Sequence, residues 1–148
     1  MLLLPAFFAV AHAANLQVVG ELVHESSLTS GQSAEGRVVL RNDGASAVEV
    51  VVYPRDAAEE GEGATALAGS NRPWLRFTPR LVTIGAGGTA EVPYRIEVPP
   101  NTDVAGTFGT LLVIEPTNVP VWPPPADPAP ETEAVVGYRV NIVTHVNQ

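Results

Sequence analysis

From residue 89 to residue 98 the chain alternates apolar and polar side chains without a break. Ala90, Val92, Tyr94, Ile96 and Val98 fall on one side, and Glu91, Pro93, Arg95 and Glu97 on the other. A two-residue period of this kind belongs to extended chain with one face buried and the other in water. The turn signals around it are equally plain. Gly85, Ala86, Gly87 and Gly88 tolerate the conformations a tight turn needs, so 81–84 reads as the preceding strand. Pro99 and Pro100 stop the run, because proline cannot donate to a ladder. Residues 107–115 form a further strand in which Leu111, Leu112, Val113 and Ile114 are apolar on both faces, the pattern of a central strand, and Pro116 ends it.

The rest of the chain reads as partners and connections for this stretch. Residues 16–23 predict a first strand, edge-like because Gly20 interrupts it, followed by a polar connection over 26–33. Residues 35–42 alternate, and 48–53 form the next strand, closed by Pro54. The intervening Asn42, Asp43 and Gly44 predict a hairpin with its turn at Asp43 and Gly44. Residues 134–146 predict a long last strand, with Val136, Tyr138, Val140, Ile142 and Val146 on its apolar face. Seven or eight short strands without a helix predict an all-β, immunoglobulin-like sandwich of about seven strands with Greek-key connections. The absence of cysteine sets it apart from antibody-type domains.

Two segments lack a strand pattern. Residues 55–71 carry Glu59, Glu60 and Glu62 among glycines, but the acidic residues do not stand at the offsets of a calcium loop, so a solvated surface loop is expected. Residues 117–133 hold six prolines and favour extended polyproline conformation. Trp122 inside that run either packs back on its own sheet or serves as an anchor for a partner.

Charge and composition exclude several functions. The 148 residues suit one domain. The net charge is −8 and all eight basic residues are arginine, so no basic stripe is available for nucleic acid or an anionic membrane surface. Without cysteine there are no disulfides, iron–sulfur clusters or thiol chemistry. The apolar run 1–10 is too short to span a bilayer, and Ala11, His12 and Ala13 follow with the small-x-small pattern of a cleavage site. A signal peptide over 1–13 and an exported domain over 14–148, periplasmic or secreted and not inserted in membrane, are therefore expected.

No catalytic or metal-binding constellation is expected. His24, Glu25, Ser26 and Ser27 are the right types for a triad, but sequence neighbours on extended chain point in alternating directions. His145 has no second histidine or cysteine at metal spacing, and the glycine cluster lacks the lysine of a phosphate loop. The expectation is a non-enzyme without cofactor or metal.

Several local features together resemble a known group. A strand ending in Arg41 and Asn42, another ending near Tyr53, the run Trp74, Leu75, Arg76, Phe77, Thr78, Pro79, then Ile84 to Gly87, Val98 with Pro99, and Gly106, Thr107, Phe108 resemble the N-terminal domain of periplasmic pilus chaperones and the wider PapD-like superfamily. The resemblance implies an exported immunoglobulin-like domain that binds protein, in the chaperones by lending its last strand to an incomplete subunit. Of the two basic residues with which the chaperones hold a subunit carboxylate, Arg139 matches one, while residues 14–23 contain no basic residue. The chaperones' second domain has no counterpart, so a working pilus chaperone is not expected from this chain alone.

The expected function is recognition of a protein partner, such as a pilus or surface subunit, through the far edge of the last strand, left free unless the first strand covers it. The candidate contact residues are Trp122, Arg139, Asn141, Val143 and His145. The alternative is a structural module of a larger surface assembly with no specific ligand. A carbohydrate- or calcium-binding sandwich would need an aromatic platform or a carboxylate cage.

Overall fold

The computed structural model describes residues 16–57, 67–117 and 137–148. Nine strands make up two sheets: β1 (Leu16–Val19), β2 (Val23–Leu28), β3 (Ser33–Asn42), β4 (Val48–Asp56), β5 (Leu75–Arg76), β6 (Arg80–Ile84), β7 (Thr89–Glu97), β8 (Gly106–Pro116) and β9 (Tyr138–Val146). Sheet A has the order β1-β3-β7-β5 and sheet B the order β2-β9-β8-β4-β6. The expected all-β, immunoglobulin-like sandwich is therefore present. A 3-10 turn at Arg72–Trp74 leads into β5.

The period-2 pattern places the core between the layers. Val38, Leu40, Val92 and Ile96 of sheet A face Val50, Val52, Leu112, Ile114, Val140 and Ile142 of sheet B, and all ten are buried. Full burial of each such side chain contributes about 1.5–3 kcal/mol. β8 is central, with Leu111 and Val113 buried on its outward face as well.

Three expectations need correction. The single first strand is two strands in different sheets: β1 pairs antiparallel with β3, whereas β2 pairs parallel with β9. Gly20, at φ +100°, makes the change of layer. The connection expected over 26–33 is thus partly β2, whose period is disguised because two of its inward positions, His24 and Ser26, are polar and only Leu28 is buried. The expected hairpin at Asp43 and Gly44 is instead a crossing between layers, since β3 lies in sheet A and β4 in sheet B.

Asn42 holds that crossing. Fully buried, its Nδ2 donates to the carbonyls of Ser46 (2.8 Å), Ile84 (3.0 Å) and Gly85 (3.2 Å), and its Oδ1 accepts from the Gly44 N–H (2.9 Å). One side chain thereby joins the β3–β4 and β6–β7 crossings. Asn71 does the same for the 3-10 turn, donating to Ile142 O (3.0 Å) and Thr144 Oγ1 (2.9 Å) and accepting from Thr110 Oγ1 (2.5 Å).

The third correction concerns Pro54, which does not close β4 but lies within it. The Thr117 N–H donates to Glu49 O, so the odd-numbered residues of β4 direct their backbone groups at β8 and the even-numbered ones at β6. β6 ends opposite Val52, so the missing N–H of Pro54 falls beyond it and breaks no ladder.

Candidate functional site

The last strand is not a free edge. β9 lies between β8 and β2, and β2 runs beside it from Asn141 to Val146, the condition under which the sequence reading fails. Arg139, Asn141, Val143 and His145 are instead a stripe on the outward face of sheet B, with Arg139 exposed and the others half-buried. Trp122 lies outside the described residues, as do the segment 1–15 and the acidic residues Glu59, Glu60 and Glu62.

Within that stripe His145 is held on both sides. Its Nδ1 meets Thr107 Oγ1 at 3.0 Å and its Nε2 meets Glu25 Oε1 at 3.3 Å. The chain thus brings together a hydroxyl, an imidazole and a carboxylate that are remote in sequence. Thr107 and His145 are directly paired across β8 and β9, and Glu25 comes from β2, so the trio ties three neighbouring strands. His24 faces the other way, toward the core: its Nδ1 meets the Tyr94 hydroxyl at 2.7 Å and its Nε2 donates to Glu21 O at 3.1 Å. His24 and Glu25 therefore lie on opposite faces of β2, as the alternation requires.

The outward face of sheet A carries a lattice of charge. Arg37 pairs with Glu91 (3.4 Å), Arg95 with Glu35 (3.7 Å) and Glu97 (3.1 Å), and Arg76 with Glu97 (2.9 Å). The hydrogen bond from Arg76, reinforced by the charges of Arg95 and Arg76, holds the Glu97 carboxyl below its ordinary value. A concavity on this face is lined by Glu35, Gly36, Arg37, Arg76, Glu91, Pro93, Tyr94 and Arg95. Its cations are matched by neighbouring carboxylates, so the face lacks the unbalanced charge that captures an ionic ligand. Among the described residues, no group of three or more His, Cys, Asp or Glu is placed to hold a metal ion.

The sheet edges differ in how they are closed, and edges are where a sandwich recruits other strands. On β1, Leu16 O faces outward and is taken by the Tyr138 hydroxyl at 2.6 Å. On β2 the outward backbone is flanked by the charged Glu25. β5 is two residues long, and beyond it the open side of β7 presents Pro93, which has no N–H, and Glu91. The edges at β2 and β7 are guarded in this way, and β1 is closed at Leu16 O, its other outward-directed residue being Val18.

β6 is built differently. Its even-numbered residues face β4, so Leu81 and Thr83 direct their backbone N–H and C=O groups at the side where no described strand pairs, an open edge among the described residues. The strand contains no proline and no acidic residue, and its only charge, Arg80, lies at one end with the guanidinium 5.9 Å from the Phe77 ring. Leu81 is 58% exposed, the most exposed of the large hydrophobic residues described. Sequence reasoning placed this strand but could not see it as an edge. The available signal was an apolar residue at an outward position, Leu81, two residues after Pro79.

No protein-family model matches the chain, and no curated protein matches it in sequence. Solved structures do resemble it. The ASH/PapD-like domain of human CEP192 is 13% identical with a TM-score of 0.57, covering 100% of this chain and 94% of that one. The class 5 fimbriae chaperone CfaA is 14% identical with a TM-score of 0.56, covering 90% of this chain and 57% of the chaperone. A Bacteroides ovatus protein named for carbohydrate binding is 9% identical with a TM-score of 0.62, covering 88% and 36%. At such identities the likeness is one of fold, an immunoglobulin-like sandwich of the kind found in these PapD-like and chaperone domains. The chain spans little more than half the length of the chaperone it matches.

Proposed function

We propose that the chain is an exported, non-enzymatic protein-binding domain that takes up an extended segment of another chain along β6. The observation that carries this reading is the unguarded edge: four backbone hydrogen-bonding groups of Leu81 and Thr83 in a row, with an exposed Leu81 side chain beside them. Strand addition uses such an arrangement, with the backbone supplying affinity and alternate side chains supplying selectivity. A fimbriae chaperone among the fold neighbours supports a protein ligand. The apolar run ahead of Ala11, His12 and Ala13 supports export, and among the described residues no helix is long and apolar enough to cross a membrane.

A second reading keeps the contact on the outward face of β9, through Arg139, Asn141, Val143 and His145 with Trp122 nearby in sequence. A pull-down of the protein without residues 1–13 from envelope extract separates the two. A partner retained by the native chain and by Arg139→Glu/Val143→Asp, but lost by Leu81→Lys, supports β6. The opposite pattern supports the β9 face. A protein that folds yet retains nothing in any form favours a structural module.

A further inference from the structure

We infer that β6 also pairs with β6 of a second copy of this chain, antiparallel and in register about Val82, to join two sheets B into one of ten strands. The inference rests on the reading of β6 as the open edge. It adds a named occupant, which follows from the strand's own geometry and charge.

Register comes first. With Val82 opposite its counterpart, Leu81 lies opposite Thr83 of the other copy, and Thr83 opposite its Leu81. All four of these residues direct their backbone groups at the open edge, so both pairs are hydrogen-bonded pairs and four bonds form. Any register displaced by one residue would set outward-directed groups against inward-directed ones and form none. Side chains follow the same symmetry. The exposed Leu81 gains a Thr83 neighbour on the outward face, and Val82 meets Val82 on the inward face, where a pair that is not hydrogen-bonded brings side chains closest.

Charge comes second. The chain carries −8, so most approaches of two copies are repulsive. Residues 67–90 contain no Asp or Glu and carry Arg72, Arg76 and Arg80, the longest acid-free run among the described residues; the one carboxylate that β4 sets beside β6, Glu49 opposite Thr83, accepts from Thr117 Oγ1 (2.8 Å). The two Arg80 residues stand at opposite ends of the paired strands, roughly 14 Å apart along the strand axis and beyond the screening length at physiological salt of about 8 Å. A five-residue edge buries less than the ~1,200 Å² of a stable standard interface, so the dimer is weak and concentration-dependent.

The chain has no cysteine, so an introduced thiol reports on its own neighbourhood alone. Val82→Cys should form a covalent dimer under mild oxidation faster than Leu81→Cys or Thr83→Cys. Random collision predicts the reverse order, because Leu81 is more exposed than the half-buried Val82. Sedimentation of the native chain should show its mass rising toward twice the monomer value with concentration. Thr83→Pro should abolish that rise while leaving the β spectrum intact, since the N–H it removes faces away from β4. If Thr83→Pro unfolds, Leu81→Lys serves in its place. A native chain that stays monomeric, or a Leu81→Cys that cross-links fastest, overturns the self-pairing. A partner still lost by Leu81→Lys in the pull-down would leave the proposed function standing after that failure.

Discussion

Tyr94 spans Gly36 across the β3–β7 pair, so closely that a Cβ at position 36 would stand 2.3 Å from the ring's Cζ and hydroxyl oxygen. The ring thereby reaches past its own sheet to His24 of β2, and one hydroxyl joins the layers where the first strand changes sheet. From sheet B, Tyr138 makes the reciprocal connection to Leu16 of β1. The two halves of the divided first strand are each held by a tyrosine of the opposite layer.

Gly36→Ala should therefore destabilise the fold, although alanine suits a strand better than glycine elsewhere. The added methyl meets the anchored end of a buried ring, and overpacking of this kind costs about 1–3 kcal/mol. Urea unfolding measures it. Gly36→Ala combined with Tyr94→Leu should cost less than the sum of the two single changes, because the second removes the ring that the first one strikes.

Burial pushes the Tyr94 hydroxyl up from 10.0 to about 12. A proton held more tightly in the folded than in the unfolded chain stabilises the fold fully below pH 10, and that contribution is lost as pH rises toward 12. The chain has no lysine, so no lysine titration overlaps this window. Urea midpoints should fall between pH 10 and 12, and Tyr94→Phe should fall less steeply over the same interval.

Asn42→Ala should cost on the order of 3 kcal/mol, because it leaves the carbonyls of Ser46, Ile84 and Gly85 without their buried donor at two crossings. Asn42→Asp should be no milder. It keeps an acceptor for the Gly44 N–H but sets carboxylate oxygen against carbonyl oxygen. Thermal unfolding of the two variants checks the order.

Arg76→Gln should raise the Glu97 pKa toward the ordinary carboxylate range, since the hydrogen bond from Arg76 is the main cause of its lowering. NMR titration of the Glu97 side chain reads this directly. A lowered carboxylate stabilises the fold above its unfolded pKa and loses that contribution as pH falls. At a solvent-exposed pair the change in stability should be barely measurable.

The strands with one wet and one buried face were legible in sequence. β7 shows the clearest alternation, and its bounds agree to one residue with those expected. β2 was not legible, because His24 and Ser26 stand where apolar residues would announce a strand. β5, two residues long, carries no period at all. The expected contact residues of β9 were correctly placed on one face, yet the edge they were assigned to is occupied by β2. Glu25, Thr107 and His145 could not be associated beforehand, since each is unremarkable in its own strand and only parallel pairing brings β2 to β9.

Which residues alternate, where the chain turns and what it lacks are legible along the chain, and they imply an all-β sandwich without cysteine chemistry. These are properties of neighbours along the chain, set by the two-residue period and by what glycine and proline allow. Which strand flanks which, that the turn at Asp43 crosses between layers, and that β6 rather than β9 is an outer strand of sheet B among the described residues emerge from the assembled sheets. The reason is physical. A strand's pattern states which face is buried, but an edge is defined by the absence of a neighbour, and a strand with one neighbour carries the same pattern as a strand with two.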